Sequence, residues 1–149
     1  MTENRRVGRV LAIDFGTKRL GVAVSDEAGI VGMPLATVDR VGRRADVALV
    51  AEIVKEKDVD HVVVGLPLNL DGTPGTYADD ARRFGTALES ACEVGVTYWD
   101  ERLTTAEAER LLIGFDVSRR KRRKVIDKLA ATLILQSYLD ARASREEFP

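Results

Sequence analysis

The run His-Val-Val-Val-Gly-Leu at residues 61–66 constrains the fold more than any other segment of this chain. Its consecutive β-branched residues leave no polar face, so a strand built from them must be covered on both sides. It belongs in the middle of a sheet that carries helices above and below. The flanking segments can supply them. Residues 43–57 carry Val47, Val50, Ile53 and Val54 at helical spacing, and residues 76–92 are helical in composition. Residues 94–99 (VGVTYW) read as a further strand. Nearer the N-terminus, residues 9–15 (RVLAIDF), 20–26 (LGVAVSD) and 30–38 (IVGMPLATV) read as three strands. Their connections, including the tight turn Gly16-Thr17-Lys18-Arg19, are short enough for antiparallel hairpins.

The remaining segments complete an α/β pattern. A Gly-, Pro- and Asn-rich loop, PLNLDGTPG, occupies residues 67–75. Thr104 or Thr105 can cap a short helix over residues 106–113, with Glu107 placed for a capping box. Residues 125–143 form the strongest helix, with Ile126, Leu129, Leu133 and Ile134 as its expected buried stripe. The order is three strands, helix, strand, helix, strand, helix, helix. It predicts a five-stranded mixed sheet, three strands antiparallel and then parallel ones, flanked by helices through right-handed crossovers. At 149 residues, with no repeat and no linker, the chain is expected to be one domain over residues 1–149.

Several function classes drop out. No apolar stretch approaches the length of a membrane span, and the polar N-terminus lacks the apolar core of a secretory signal. The single cysteine, Cys92, cannot form an internal disulfide, so a reducing cytoplasm is the expected location. One histidine, His61, and one cysteine cannot make a thiolate or imidazole zinc site. Any metal must be held by oxygen. Neither a Walker-type phosphate loop nor a GxGxxG follows the first strand. The segment Asp14-Phe15-Gly16-Thr17 resembles the phosphate-binding turn of actin-like ATPases and sugar kinases, but those need two such domains and this length supplies one.

Charge is distributed unevenly. Arg119, Arg120, Lys121, Arg122, Arg123 and Lys124 form an unbroken basic run in a chain of net charge -1, so the rest of the chain carries about -7. Positive charge gathered in one place suits a polyanion, and patterned segments on both sides favour a binding loop over a solvated tail. Aromatic residues are only 5% of the chain and none interleave with the run, so its contacts are expected with phosphates and not with bases.

Three carboxylates stand where packing alone does not explain them. Asp14 interrupts an apolar strand at its carboxyl end, Glu101 follows the last strand beside Asp100, and Asp127 opens the final helix after the basic run. Each singly has a plain structural explanation: a turn residue, a solvated acid, a complement to the helix dipole. Together they make a different pattern, because functional groups collect at the carboxyl ends of parallel strands. Gathered carboxylates repel unless a cation neutralises them, and hard oxygen ligands select Mg²⁺ or Mn²⁺. Two such ions about 4 Å apart can clamp the attacking and leaving oxygens of a phosphodiester. Ala130 and Ala131, one turn beyond Asp127, would let that helix approach the sheet closely. An acidic metal cluster beside a basic strip points to a metal-dependent nuclease whose partner is nucleic acid. Thr17 and Lys18, in the turn after the first strand, are candidates to hold a phosphate oxygen and to neutralise its charge.

The segments LAIDFGTKRLGVAVSD (11–26), VVVGLPLNLDGTPG (62–75), DERLTT (100–105) and IDKLAATLILQSYLD (126–140) resemble the YqgF/RuvX family. The resemblance implies a ribonuclease H-like fold and a nuclease. The family is named both for Holliday junction resolution and for maturation of the ribosomal RNA precursor. It implies that Asp14, Glu101 and Asp127 are the metal-binding acids and that the loop holding Asn69 lies at the edge of the site. Arg102, inside the DERLTT block, joins the basic run, Thr17, Lys18 and Asn69 as a substrate-binding candidate. One departure stands out: more distant RuvC-type resolvases carry two acids one turn apart on the last helix, whereas Ala130 occupies that position here. A fourth ligand must come from elsewhere, with Asp100 the nearest candidate, or from water.

The resemblance makes 5′-end processing of the small-subunit ribosomal RNA precursor the leading expectation, with structured or precursor RNA as partner. Resolution of branched DNA and a non-catalytic RNA-binding module are the alternatives. Nothing in the sequence reads a 2′-hydroxyl, and monomer and homodimer both stay open.

Overall fold

The computed structural model describes residues 8–66, 78–100 and 118–147, with side chains in the last stretch described at 118–121 and 129–144. Five strands form one sheet: β1 (Arg9–Phe15), β2 (Arg19–Ser25), β3 (Gly32–Asp39), β4 (Val59–Leu66) and β5 (Gly95–Asp100). Helix α1 (Arg43–Glu56) links β3 to β4, α2 (Ala78–Cys92) precedes β5, and α3 (Arg119–Glu147) closes the described chain. The strand order is β3-β2-β1-β4-β5. β1 pairs antiparallel with β2 and parallel with β4, and β5 extends the parallel half. The expected division into an antiparallel and a parallel half is what the structure has. The segments expected as a loop at 67–75 and a helix at 106–113 lie outside the described residues.

Alternation along the strands sorts the core into two layers. Leu11, Ile13 and Phe15 of β1 join Val62, Val64 and Leu66 of β4 against Val50, Val54, Phe84 and Leu88 of α1 and α2. On the opposite face Val10, Ala12, Ala23 and Val63 meet Ala131, Ile134, Leu135 and Leu139 of α3. The three consecutive valines of β4, Val62 to Val64, are divided between the layers, and all are fully buried. That is the two-sided strand read from the β-branched run.

Two features of α3 differ from expectation. The helix starts at Arg119, so the basic run forms its first turns instead of a loop, and Asp127 lies two turns inside the helix instead of in its first turn. Arginine and lysine are good helix formers, and the Ser118 hydroxyl caps the end by accepting the Lys121 N–H at 3.3 Å. The helix forms although its first turn holds no acid to offset the dipole. The buried stripe also differs: Ala131, Ile134, Leu135 and Leu139 face the sheet, while Leu129 and Leu133 are only half-buried. The segment LAATLILQSYL is apolar nearly all round, so periodicity alone does not select the face. Specific neighbours select it. Gln136 accepts from the Gly32 N–H at 2.9 Å and donates to the Ile30 carbonyl at 3.0 Å, while Trp99 donates to the Ser137 hydroxyl at 3.1 Å.

Candidate active site at the carboxyl edge of the sheet

Asp14 is the next-to-last residue of β1, and its row can be read across the sheet. It pairs with Gly21 of β2 on one side and Gly65 of β4 on the other. The half-buried carboxylate therefore stands between two residues without side chains, on the face covered by α3. A Cβ at Gly21 would lie 3.4 Å from the Asp14 Cβ, 3.6 Å from the Ala131 Cβ and 3.9 Å from Asp14 Oδ2. Gly21 thus sits where Asp14 and helix α3 approach each other. Glycine inside a strand commonly marks such a close approach. Sequence reasoning missed this pair, although two interior glycines in strands flanking an acid were a usable signal.

The course of α3 fixes where the rest of the candidate site lies. Ala131 is at Gly21, Gln136 at Gly32 and Arg142 at the Gly29 carbonyl, so the helix runs from the carboxyl edge of β1 toward its amino edge. Helix position 127 is one turn before Ala131, about 6 Å nearer the carboxyl edge at 1.5 Å per residue. Residues 119–124 continue past it, roughly 10 to 18 Å beyond Ala131 along the axis. Of these, Arg119, Arg120 and Lys121 are exposed, while the side chains of Arg122, Arg123, Lys124 and Asp127 lie outside the described residues. Glu101, Arg102 and Asn69 also lie outside them.

Thr17 and Lys18 are exposed in the β1–β2 turn at the same edge. Gly16 closes the turn by donating its N–H to the Arg19 carbonyl at 3.0 Å, and a Cβ there would come within 2.6 Å of that oxygen. The turn is braced from outside. Arg40 lies 4.4 Å over the Phe15 ring, donates to the Gly16 carbonyl at 3.3 Å and bonds Asp46 at 3.1 Å. Asp46 is only 2% exposed and also accepts the Val41 N–H at 3.0 Å. This Arg40–Asp46 pair was not foreseen, because nothing in the sequence distinguishes Asp46 from other acids of a helix's first turn.

Asp100, the nearest candidate for a fourth ligand, is on the other face. It pairs with Leu66, and alternation puts it in the row of Val96 and Tyr98, beneath α1 and α2. Among the described residues no three acids, histidines or cysteines gather closely enough to hold a metal ion. What the described part supplies is one hard carboxylate flanked on both neighbouring strands by glycine, and that donor chemistry fits Mg²⁺ or Mn²⁺.

His61 lies at the opposite end of the sheet. Its Nε2 is 2.7 Å from the Thr97 hydroxyl and its ring stacks on Tyr138, which meets Trp99 edge-on. Burial pushes its pKa below the ordinary imidazole value, and the Arg142 guanidinium adds to that shift. The group is a packing element between β4, β5 and α3. Cys92 is a free, half-buried thiol whose pKa burial raises, which does not favour a reactive thiolate.

A mixed sheet in this strand order, with an acid at the carboxyl end of the central strand and a closing helix across that acid's face, defines a ribonuclease H-like fold. Solved structures agree. Thermus thermophilus RuvC bound to a Holliday junction substrate superposes with a TM-score of 0.54 at 16% identity, covering 91% of this chain and 96% of that one. A second Thermus thermophilus RuvC structure gives 0.53 at 18% identity with the same coverage. The model of the RuvX family, described as Holliday junction resolvase, matches residues 8–141, and the chain belongs to that family. Relatives from Syntrophus aciditrophicus (50% identical, 95% of this chain and 93% of that one) and Geobacillus sp. strain WCH70 (51%, 90% and 99%) are each named "Putative pre-16S rRNA nuclease". No helix among the described residues is long and apolar enough to cross a membrane.

Proposed function

We propose that this chain is a metal-dependent nuclease that hydrolyses phosphodiester bonds in the precursor of the small-subunit ribosomal RNA, at the 5′ end. The observation that carries the reading is Asp14, half-buried at the carboxyl end of β1 between Gly21 and Gly65, on the face crossed by α3. The two flanking residues carry no side chain, which suits an acid that must meet a cation and a phosphate. The substrate class is supported by relatives about half identical over nearly their whole length and named for pre-16S ribosomal RNA.

In this reading Asp14, Glu101 and Asp127 hold two Mg²⁺ or Mn²⁺ ions. When bound, such ions lower the pKa of water and offset the charge that builds on a departing oxygen. The chain's own groups do the rest. Thr17 donates a hydrogen bond to a phosphate oxygen, and Lys18 offsets charge beside it. Asn69 and Arg102 border the scissile group. The basic first turns of α3 hold the nucleic-acid backbone through phosphate contacts, which tolerate changes of sequence. With no thiolate or imidazole needed, the reaction suits a reducing cytoplasm.

Branched DNA is the second substrate reading, favoured by the family's description as Holliday junction resolvase. One experiment separates the two. Cleavage of a pre-16S 5′ leader, an unstructured single-stranded RNA and a four-way DNA junction is compared with Mn²⁺ and with EDTA. The expected result is preferential cleavage of the leader that EDTA abolishes. Preferential cutting of the junction would transfer the function to branched DNA, and cleavage of none would leave a binding module.

A further inference from the structure

The face of the sheet away from α3 carries a second basic surface. Arg43 of α1 and Arg82 and Arg83 of α2 line an open groove with Asp79, Thr86 and Ser90. We propose that this groove is a second binding site for the phosphodiester backbone, so that substrate is held on both sides of the cleavage edge; the assignment rests on the nuclease reading above.

The topology brings the groove to the relevant edge. β3 and β1 both run antiparallel to β2 and so point the same way, and α1 begins just after the end of β3. The first turn of α1 therefore emerges at the carboxyl edge that holds Asp14. β4 runs parallel to β1 and ends at that edge as well, and Arg82 is tied to β5 near its carboxyl end. Its guanidinium lies 4.9 Å over the Tyr98 ring, and its carbonyl accepts the Tyr98 hydroxyl at 3.2 Å.

Arg43 and Arg83 add little to the stability of the fold where they stand. Arg43 is an exposed cation in the first turn of a helix, where it adds to the dipole instead of offsetting it, and Gly42 gives that end no side-chain cap. Among the described residues Arg43 forms no ion pair. Arg83 meets Asp80 at 3.4 Å with both groups well exposed, a kind of contact worth at most about 1 kcal/mol. Three guanidiniums face one lining carboxylate, Asp79, and Arg83 also meets Asp80, which leaves the groove a net positive charge. It measures about 580 Å³, room for more than a single phosphate, and it is open-sided, with three arginines on its walls. Enclosed, mostly apolar walls suit a small molecule; this groove suits a polymer that passes through it.

Helices on opposite faces of a sheet place the two basic surfaces at least about 20 Å apart, one packing layer of about 10 Å on each side. At 3.4 Å per base pair a duplex covers that distance in about six pairs. A duplex or branched substrate can therefore touch both surfaces, whereas a trinucleotide cannot.

The test is binding in EDTA, read by fluorescence anisotropy on an RNA duplex of about 20 base pairs against salt concentration. In Arg43→Ala/Arg83→Ala the slope of log K against log salt should flatten by about 1.4 to 1.8, two contacts at about 0.7 to 0.9 each. Arg43→Lys/Arg83→Lys should recover the slope, and Asp79→Asn should tighten duplex binding. Arg82 is left in place because it packs on Tyr98. An unchanged duplex slope in the alanine variant, with normal thermal unfolding, overturns the groove and leaves the nuclease reading standing. Failure of the wild-type protein to bind any nucleic acid overturns both.

Discussion

Gly16 and Gly21 flank the same turn, yet their replacement by alanine should move stability in opposite directions. At Gly21 the new methyl would contact Asp14 Cβ at 3.4 Å and Ala131 Cβ at 3.6 Å, ordinary van der Waals separations with no backbone in the way. A partly buried methyl contributes up to about 0.8 kcal/mol, and the stiffer unfolded chain adds about 0.4 to 1 kcal/mol. The sum is a gain of about 1 to 1.5 kcal/mol, or roughly 2 to 5 °C in Tm for a domain of this size. The same methyl lies 3.9 Å from Asp14 Oδ2 and occupies the space beside the carboxylate, so cleavage should fall at least about tenfold. At Gly16 the methyl would come within 2.6 Å of the Arg19 carbonyl oxygen, the acceptor of the turn's own hydrogen bond. Backbone must move, costing about 1 to 3 kcal/mol. Thermal unfolding by circular dichroism and steady-state cleavage on the same samples decide the matter. A Gly21→Ala protein less stable than wild type by about 1 kcal/mol or more, on the order of the gain expected, would mean that α3 does not sit where Ala131 meets Gly21. Retained full activity would mean that the space beside Asp14 serves no substrate.

Other perturbations address the remaining parts. Arg40→Ala leaves Asp46 buried with the Val41 N–H and releases the β1–β2 turn, so denaturant unfolding should show a loss of about 3 to 5 kcal/mol; a loss below about 1 kcal/mol would remove the brace. Replacing four residues of the basic run with alanine should flatten the salt dependence of nucleic-acid binding by about 0.7 to 0.9 for each phosphate no longer neutralised, while helicity by circular dichroism is kept. An unchanged slope there would reduce the run to a solvated helix end. Because the folded state holds the His61 pKa below its unfolded value, the unfolded chain binds the proton more readily. The imidazole's contribution to stability is therefore present above the unfolded value, near pH 6.5, and is lost as pH falls through the lower folded value. His61→Gln should accordingly flatten the fall of Tm on acidification, and an identical pH profile would exclude His61 as its source.

The sheet was legible because its signals are local. The β-branched run of β4 and the short connections of β1 to β3 need no knowledge of the rest of the molecule. The face of α3 was not legible, since a helix apolar all round is oriented by distant partners such as Gly32 and Trp99. Its start was misplaced for a related reason: like-charge repulsion along residues 119–124 argues for a loop, but capping by Ser118 and the propensity of Arg and Lys outweigh it. At the site, Asp14 was recognisable as an acid inside an apolar strand. The glycines beside it acquire meaning only once the register brings Gly21 and Gly65 level with it. Asp100 was nominated from adjacency in sequence to Glu101, and strand alternation sends it to the other face.

The proposed metal-dependent cleavage at this edge rests most directly on Asp14, and Asp14→Asn tests it with almost no change of shape. Cleavage of the pre-16S leader is measured for both proteins across a titration of Mn²⁺, with EDTA as the zero. The wild type should cut only when the ion is present, and Asp14→Asn should lose more than the roughly 10 to 100-fold typical of residues that merely support metal ligands. Its Tm without metal should be equal or higher, since one member of a repelling group has been neutralised. Wild-type cleavage by Asp14→Asn, or cleavage that persists in EDTA, would contradict the assignment of a metal-dependent site at the carboxyl edge of β1.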